Sequence, residues 1–235
     1  MTAATGRRLV GEFVGTFFLL AGVVGSGIMA ESLSTDVGLQ LLQNAFATAG
    51  ILIALILAFV HVSGAQFNPA VTLVDLAMGG IDRGIALAYV VVQTVGGILG
   101  VMAANVMFDL PAVDWSTKDR SASHLVFADA IATLGLLLVI FLVVRAGDAA
   151  QIALAVGAYI GGAYYFTAST SFANPAVTVS RMFSDTFAGI EPASAPGFIV
   201  AQLVAVAVAI PLIRFLTPTA ELTPADDETL TDLAR

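Results

Sequence analysis

Long apolar runs separated by short polar segments dominate this chain. Six of the runs approach the length of about 20 residues that an α-helix needs to cross a bilayer. They lie at Leu9–Ala30, Leu39–Val60, Gly84–Val106, His124–Arg145, Gln151–Thr167 and Pro196–Leu216. The fifth run is the shortest and is rich in Gly and Tyr. The pattern predicts an all-α membrane protein with six transmembrane helices.

Two further apolar segments are too short to cross a bilayer and apolar enough to enter it. Phe67–Gly80 lies between the second and third runs, and Phe172–Gly189 lies between the fifth and sixth. Helices that break at membrane depth are tolerated only beside protein or a water-filled cavity. In both segments an Asn precedes a Pro at the first helical position, where the missing N–H costs nothing. The sequence therefore predicts two re-entrant half-helices.

The two halves of the chain repeat each other. The pentapeptide Asn-Pro-Ala-Val-Thr occurs at Asn68–Thr72 and again at Asn174–Thr178. In each half, an acid is followed four residues later by Thr, at Glu12 in the first span and at Asp129 in the fourth. One further span lies between each of these acids and its Asn-Pro-Ala copy. Three spans separate equivalent elements, and because this number is odd, the halves must be inserted with opposite orientations. Inverted repeats place the functional site near the bilayer midplane.

The repeat also divides the chain into domains. We predict a membrane channel domain over 1–218, in which inverted repeats cover about 7–106 and 124–216. Residues 219–235 form an acidic tail with five Asp or Glu residues, which we expect to be solvated, disordered and cytoplasmic.

Composition narrows the function further. The chain is 58% hydrophobic and 11% charged. A soluble domain of 235 residues does not need so much apolar sequence. It contains no Cys, so disulfides, thiolate nucleophiles and thiolate metal sites are excluded. No nucleophile–base pair and no metal-ligand spacing occurs, so we expect no enzyme, no cofactor and no bound metal. The net charge of −8 argues against a nucleic-acid partner.

The distribution of basic residues predicts the orientation. With both termini in the cytoplasm, six basic residues lie inside and three lie outside, which satisfies the positive-inside rule. The inner set is Arg7, Arg8, Arg83, Arg145, Arg214 and Arg235, and the outer set is Lys118, Arg120 and Arg181. We expect a multi-pass protein of the cell (inner) membrane.

The two Asn-Pro-Ala motifs are the first candidate site. Half-helices that enter from opposite faces meet near the bilayer centre, where their N-termini present backbone N–H groups and partial positive charge. We expect the amides of Asn68 and Asn174 to donate to a passing oxygen, while the opposing dipole ends reject protons and cations. The alternative is that each Asn only caps its own helix.

The chain resembles the aquaporin/aquaglyceroporin (major intrinsic protein) family from Leu9 to Leu216. The resemblance rests on Glu12–Thr16 and on the stretches His61–Thr72 and Phe172–Thr178. It implies six helices and two half-helices around one pore per subunit, in a homotetramer within the lipid bilayer. The pore motifs would be Asn68, Pro69, Ala70, Asn174, Pro175 and Ala176.

Two intramembrane acids and one His have open roles. Glu12 and Asp129 either relay protons or accept hydrogen bonds from the irregular backbone of the re-entrant loops. The resemblance favours the second role. His61 either gates the cytoplasmic mouth by protonation or is a lining or packing group.

The resemblance also implies four selectivity-filter positions, counted from the two Asn residues. They are Thr48, Gly162, Ser171 and Val177. Water-selective members carry Phe, His and Arg at the first, second and fourth of these positions. Here Thr48 and Gly162 remove rings and Val177 removes a cation, so we expect a wide, uncharged filter. The alternative is that Thr48 bonds within its own helix and Gly162 is a packing residue.

Arg181 lies four residues after Val177, one turn further along the same helix face. We hypothesise that it gives the outer vestibule the positive charge that the filter lacks. The alternative is a solvated or subunit-interface Arg that pairs with Asp185.

The function predicted from these observations is a passive channel for small uncharged solutes larger than water. The chain resembles bacterial aquaglyceroporins associated with arsenic resistance, which implies passage of water, glycerol and arsenite as As(OH)₃. Methylated or pentavalent arsenicals are further candidates. Three alternatives remain at this point: an ordinary water-selective channel, a proton-coupled carrier that uses Glu12 and Asp129, and a structural protein with a closed pore.

Overall fold

The computed structural model of the protein describes residues 3–146 and 148–217, and within these ranges the regular structure is all-helical. The α-helices are α1 (Ala3–Leu33), α2 (Val37–Ser63), α3 (Pro69–Met78), α4 (Arg83–Met107), α5 (Ser123–Ala146), α6 (Ala149–Phe166), α7 (Pro175–Ser180) and α8 (Ala195–Leu216). All except α3 and α7 are long and apolar enough to cross a membrane. The predicted acidic tail, 219–235, lies outside the described residues.

Polar and Gly residues at the helix ends set the bounds more than hydropathy does. Helix α2 begins after Asp36, whose side chain accepts a hydrogen bond from the Leu39 N–H at 3.0 Å. It ends before Gly64, whose φ of 91° is a left-handed conformation that Gly adopts without strain. The helix is therefore longer at both ends than the predicted span Leu39–Val60.

The second half-helix is much shorter than predicted. The sequence suggested Phe172–Gly189, but α7 covers only Pro175–Ser180 and passes into a 3₁₀ turn at Arg181–Phe183. The turn ends at Ser184, where the backbone is extended. Apolar composition alone does not show where the chain leaves helical geometry, and this explains the error.

Packing between the helices follows the inverted repeat. In the first half, α1 packs against α2 and α4, and in the second half α5 packs against α6 and α8 in the same way. Each half-helix contacts the last long helix of both halves, because α3 and α7 both touch α4 and α8. The remaining large contact, between α2 and α6, joins equivalent helices of the two halves. The halves therefore enclose a common interior.

One end of this interior is covered by the connection between α4 and α5, residues 108–122. Its backbone pairs with the segment that follows α7, through hydrogen bonds from Asp114 N to Phe183 O at 3.2 Å and from Ser116 N to Met182 O at 2.9 Å. Further along, Glu191 N donates to Lys118 O at 2.8 Å. These bonds fix the segment that carries Arg181.

Candidate functional site

A cavity of about 310 Å³ lies between the two halves of the molecule. Its lining residues on α2 run from Thr48 to Val60, which is about 18 Å along the helix axis at 1.5 Å per residue. The wall is largely aliphatic, as the sequence of the spans requires. The polar side chains in the wall are those of Thr48, Gln66, Asn68, Asp75, Tyr164, Ser171, Asn174 and Arg181. The cavity is thus a long, mostly apolar passage with a few polar groups.

The two Asn-Pro-Ala motifs meet inside this cavity. The Nδ2 of Asn68 donates to Ala173 O at 2.8 Å, and the Nδ2 of Asn174 donates to Phe67 O at 2.8 Å. Each Asn therefore binds the backbone that precedes the other Asn. An amide nitrogen carries two hydrogens, so each side chain keeps a second donor.

Each Asn also caps its own half-helix. Asn68 Oδ1 accepts from Ala70 N at 2.9 Å, and Asn174 Oδ1 accepts from Ala176 N at 2.9 Å and from Val177 N at 3.2 Å. These three backbone N–H groups already have a partner, so the expectation that the half-helix N-termini present unsatisfied N–H groups is wrong at these positions. Capping and amide donation occur together, because the oxygen serves the helix while the nitrogen spans the two halves.

The segments that precede the two Asn residues are strained. Ala65 and Phe67 have φ values of 50° and 49°, and Ser171 and Ala173 have φ values of 53° and 47°. Left-handed geometry costs a residue other than Gly roughly 1–2 kcal/mol. All four residues line the cavity, so the strain lies at the site itself.

Glu12 holds the first strained segment in place. Its Oε1 accepts from Ser63 Oγ at 2.7 Å and from Gln66 N at 3.0 Å. Its Oε2 accepts from Phe67 N at 2.7 Å and from Gln93 Nε2 at 2.8 Å. The carboxylate is fully buried, and its four donors occupy both oxygens. Glu12 therefore accepts hydrogen bonds from the backbone of the re-entrant loop, which are the contacts that the resemblance implied.

Asp129 does the same for the second segment. Its Oδ1 accepts from Ser169 Oγ at 3.2 Å and from Ala173 N at 3.1 Å, and its Oδ2 accepts from Gln202 Nε2 at 2.7 Å. The partners match those of Glu12 in kind: a Ser, the backbone before the Asn and a Gln from the last helix of the half. Neither acid is among the described residues that line the cavity.

The structure corrects the predicted filter at one position. Gly162 is exposed on the outside of α6, and Tyr164 lines the cavity in its place, with its hydroxyl 3.1 Å from Thr48 Oγ1. The cavity face of α6 recurs every four residues, with Ile160 before Tyr164. Gly162 is two residues after Ile160, so it points about 200° away from the direction of Ile160, because each residue turns the helix by 100°. An aromatic ring therefore stands where the sequence suggested none.

The other predicted filter residues do line the cavity. Thr48, Ser171 and Val177 are all buried within its wall. The buried hydroxyl of Ser171 has no hydrogen-bond partner among the described residues. It is therefore the one of these hydroxyls that stays available to a solute.

Arg181 is buried in the cavity wall, with 2% of its surface exposed. Its guanidinium lies over the ring of Phe172, 3.6 Å from the centroid, and its Nε donates to Ala188 O. Asp185 instead accepts from Thr117 N at 2.8 Å. The alternative that Arg181 is a solvated residue paired with Asp185 is therefore wrong.

Two more cations stand near this end of the cavity. The guanidinium of Arg120 lies 5.0 Å from the centroid of Phe172, and burial lowers the pKa of Arg120 to about 10. Burial, together with repulsion from Arg120 and Arg181, lowers the pKa of Lys118 to about 8. The sequence did not reveal the burial of Arg120, because its partners lie some 70 residues away. The charged side chain that lines this end of the cavity, among the described residues, is that of Arg181, and Arg120 and Lys118 lie close to it.

The opposite end is lined differently from the prediction. His61 is exposed and is not among the described lining residues, whereas Val60 and Gly64 are. Position 61 is turned by 100° from position 60, away from the cavity face. The polar lining groups at this end are Gln66 and Asp75, which sequence reasoning missed.

Comparisons with known proteins concern the chain as a whole. Residues 1–149 match the family model described as major intrinsic protein. The chain is 45% identical over 210 residues to the aquaglyceroporin AqpS of Rhizobium meliloti, covering 89% of this chain and 90% of that protein. It is also 36% identical over 103 residues to aquaporin Z of Photorhabdus laumondii, covering 43% of this chain and 42% of the relative.

A solved structure supports the fold. The X-ray structure of the aquaglyceroporin from Plasmodium falciparum aligns with a TM-score of 0.66, covering 90% of this chain and 99% of that chain. The sequence identity is 22%, so this likeness concerns the fold alone. It confirms the predicted arrangement of six helices and two half-helices.

Proposed function

This chain belongs to the major intrinsic protein family and is a membrane channel for water and small solutes, and we propose that it passes uncharged solutes larger than water. Members of the family are channels and not enzymes, as the sequence predicted. The proposed solutes are glycerol and neutral metalloid hydroxides, with arsenite as As(OH)₃ foremost.

The observation that carries the proposal is the position of Val177 in the cavity wall, three residues after Asn174. At this point the resemblance places an Arg in water-selective members. Valine is short and uncharged, so it neither narrows the passage nor presents a fixed array of donors. Pore diameter, donors and charge decide what a filter passes. A filter with Val177 therefore admits solutes that a filter with Arg would exclude.

The rest of the filter suits a polyol. The ring of Tyr164 and the side chain of Val177 provide apolar surface for a carbon backbone. Ser171 offers a hydroxyl that is free to bond, while Thr48 and Tyr164 share a hydrogen bond. Tyr164 makes the passage narrower on one side than the sequence suggested, without adding charge. As(OH)₃ presents three hydroxyls and no charge, so the same surface fits it; methylated or pentavalent arsenicals test the upper size limit.

Proton exclusion is proposed at the paired Asn-Pro-Ala motifs. Each amide of Asn68 and Asn174 donates one hydrogen across the halves and retains a second for the oxygen of a passing molecule. The N-termini of α3 and α7 meet here, so a cation encounters two positive dipole ends. A neutral solute does not encounter this barrier.

The proposed setting is a homotetramer in the bacterial inner membrane with both termini in the cytoplasm. Several large apolar side chains on the outer faces support burial in lipid or against neighbouring subunits, among them Phe46 and Phe215, each about 80% exposed. The Arg181 end of the cavity then faces outward and the Asp75 end faces the cytoplasm.

The test is a proteoliposome panel of water, glycerol, urea, arsenite and methylated arsenicals, measured with wild type and Val177→Arg. We expect wild type to pass all of them and Val177→Arg to retain water while losing the larger solutes. Val177→Thr, which keeps the size and adds no charge, is the matched control and should behave as wild type. If Val177→Arg passed glycerol and arsenite at the wild-type rate, the proposed filter would be refuted.

Arg181 is proposed as the cation that repels positive ions at the outer end. Because its guanidinium stands in the cavity wall over Phe172, Arg181→Ala should raise the cation leak and alter solute selectivity. Arg181→Lys keeps the charge and should suppress the leak. Unchanged leak and selectivity in Arg181→Ala would contradict this role.

A further inference from the structure

The inverted repeat places opposite charges at equivalent positions of the two half-helices. Counting from each Asn, the residues at positions 0, +3 and +7 lie on one helix face. In the first repeat they are Asn68, Val71 and Asp75, and in the second they are Asn174, Val177 and Arg181. All six line the same cavity. Asp75 is therefore the counterpart of Arg181 at the other end of the passage.

The partner of each charge is also equivalent in the two repeats. Two residues before each Asn stand Gln66 and Phe172. Gln66 Nε2 donates to Asp75 Oδ2 at 2.7 Å, and the guanidinium of Arg181 lies over the ring of Phe172. Each repeat thus forms a charged site from its residues at positions −2 and +7. The first site is acidic and has an amide donor, Gln66, and the second is basic and has an aromatic ring, Phe172.

The carboxylate of Asp75 is held in a defined position. Gln66 Oε1 accepts from Thr72 Oγ1 at 2.6 Å, which directs the amide nitrogen of Gln66 toward Asp75. A Cβ at position 80 would overlap Asp75 Oδ1, so the Gly at this position makes room for the carboxylate. Within the part of the chain that the structure describes, Oδ1 accepts no hydrogen bond. This oxygen remains available to a solute.

Among the side chains that the structure describes, Asp75 has no close counterion. Arg8 on α1 acts on it electrostatically, but its Nε donates to the hydroxyl of Tyr89 at 2.9 Å. Tyr89 on α4 in turn donates to Ser63 O at 2.7 Å. Among the residues whose side chains the structure describes, Asp75 makes no ion pair. Within that part of the chain, its negative charge stands in the cavity wall and is neutralised only at a distance.

We propose that Asp75, positioned by Gln66, is a second specificity-determining site that excludes anions and accepts hydrogen bonds from the hydroxyls of uncharged solutes. The inference rests on the proposed function, because it explains how a filter without an Arg at position 177 still restricts passage to neutral molecules. Arg181 attracts anions at its own end, so a barrier against them is needed further along. Two like charges a few ångströms apart repel strongly in a confined, partly desolvated passage.

The experiment compares wild type, Asp75→Asn and Asp82→Asn in proteoliposomes. Asp82 precedes α4, is exposed and makes no side-chain capping bond, which makes Asp82→Asn the matched control. Nitrate and formate entry is followed with an encapsulated anion-sensitive dye, and glycerol entry by light scattering. We expect the ratio of anion to glycerol permeability to rise about tenfold or more in Asp75→Asn. It should stay at the wild-type value in Asp82→Asn.

An unchanged ratio in Asp75→Asn, with glycerol still entering, would overturn the inference while leaving the proposed function intact. Absence of glycerol entry in wild type would instead refute the proposed function. If Asp75→Asn does not assemble as a folded channel, Asp75→Ala removes the same charge and carries the same expectation. An equal rise in Asp82→Asn would also count against the inference, because it would show a general surface-charge effect.

Discussion

Individual side chains set the width of the passage near Arg181. Val177 contributes no charge, and the ring of Tyr164 fills part of the space on the α6 side. The hydrogen bond between Tyr164 and Thr48 holds that ring against α2. The width of the proposed filter therefore depends on a residue pair that joins the two halves, and a change at Tyr164 should alter the size limit for solutes.

Tyr164→Ala should pass larger polyols than wild type does, because the ring leaves the constriction. Gly162→Ala should have no effect, because a Cβ at this exposed position meets nothing within 4 Å. The measurement is entry of a graded series from glycerol to sorbitol into proteoliposomes. A change in the size limit for Gly162→Ala, and none for Tyr164→Ala, would restore the position assigned from the sequence.

The sequence predicts some filter residues better than others for a physical reason. Val177 and Ser171 lie within three residues of Asn174, so a short count from the motif locates them. No motif marks register within α6, and a count across 12 residues misses the cavity face by two positions. Asp75 and Arg181 are equivalent by counting alone, but their shared cavity becomes visible only in the structure.

Each half-helix depends on a buried acid from a different helix. Glu12 on α1 and Asp129 on α5 gather donors from the strained segments that precede Asn68 and Asn174. These donors offset the cost of left-handed backbone at residues other than Gly. The acid–Thr pattern in the sequence indicated where the acids lie. The left-handed residues could not be predicted, because they are Ala, Phe and Ser, which do not favour a positive φ.

Replacing Glu12 by Gln should destabilise the protein and leave its transport passive. A Gln side chain has one acceptor oxygen for four donors, so at least one buried N–H or hydroxyl loses its partner, at a cost of about 3 kcal/mol. Thermal unfolding in detergent should show a lower midpoint for Glu12→Gln and an unchanged one for the exposed Asp82→Asn. If an imposed proton gradient accelerated solute entry in wild type and not in Glu12→Gln, the carrier alternative would be correct.

The molecule as a whole is an inverted repeat with a charge difference along its passage. Arg181, Arg120 and Lys118 gather at one end, and Asp75 stands in the wall at the other. The repeat was predictable from the duplicated pentapeptide, because identical five-residue segments fix the equivalence of the halves. The positive charges near Arg181 were only partly predictable. Lys118 and Arg120 lie in the connection 108–122, which reaches this end of the cavity through contacts between residues far apart in the sequence.

Lys118 provides a test of the orientation, because it is the only lysine in the chain. A membrane-impermeant amine-reactive reagent should label it in intact spheroplasts. Labelling should increase through pH 8, because burial and the nearby arginines lower the pKa of this amine to about 8 and only the neutral form reacts. Lys118→Arg corrects for reaction at the N-terminus. Labelling that required opened membranes would reverse the proposed orientation.

The most direct test of the account is stopped-flow light scattering of wild-type proteoliposomes in separate water and glycerol gradients. A channel whose filter carries Val177 in place of a cation should admit glycerol well above the rate of protein-free liposomes, in addition to water. Rapid water movement with glycerol entry no faster than in protein-free liposomes would contradict the account and identify an ordinary water channel.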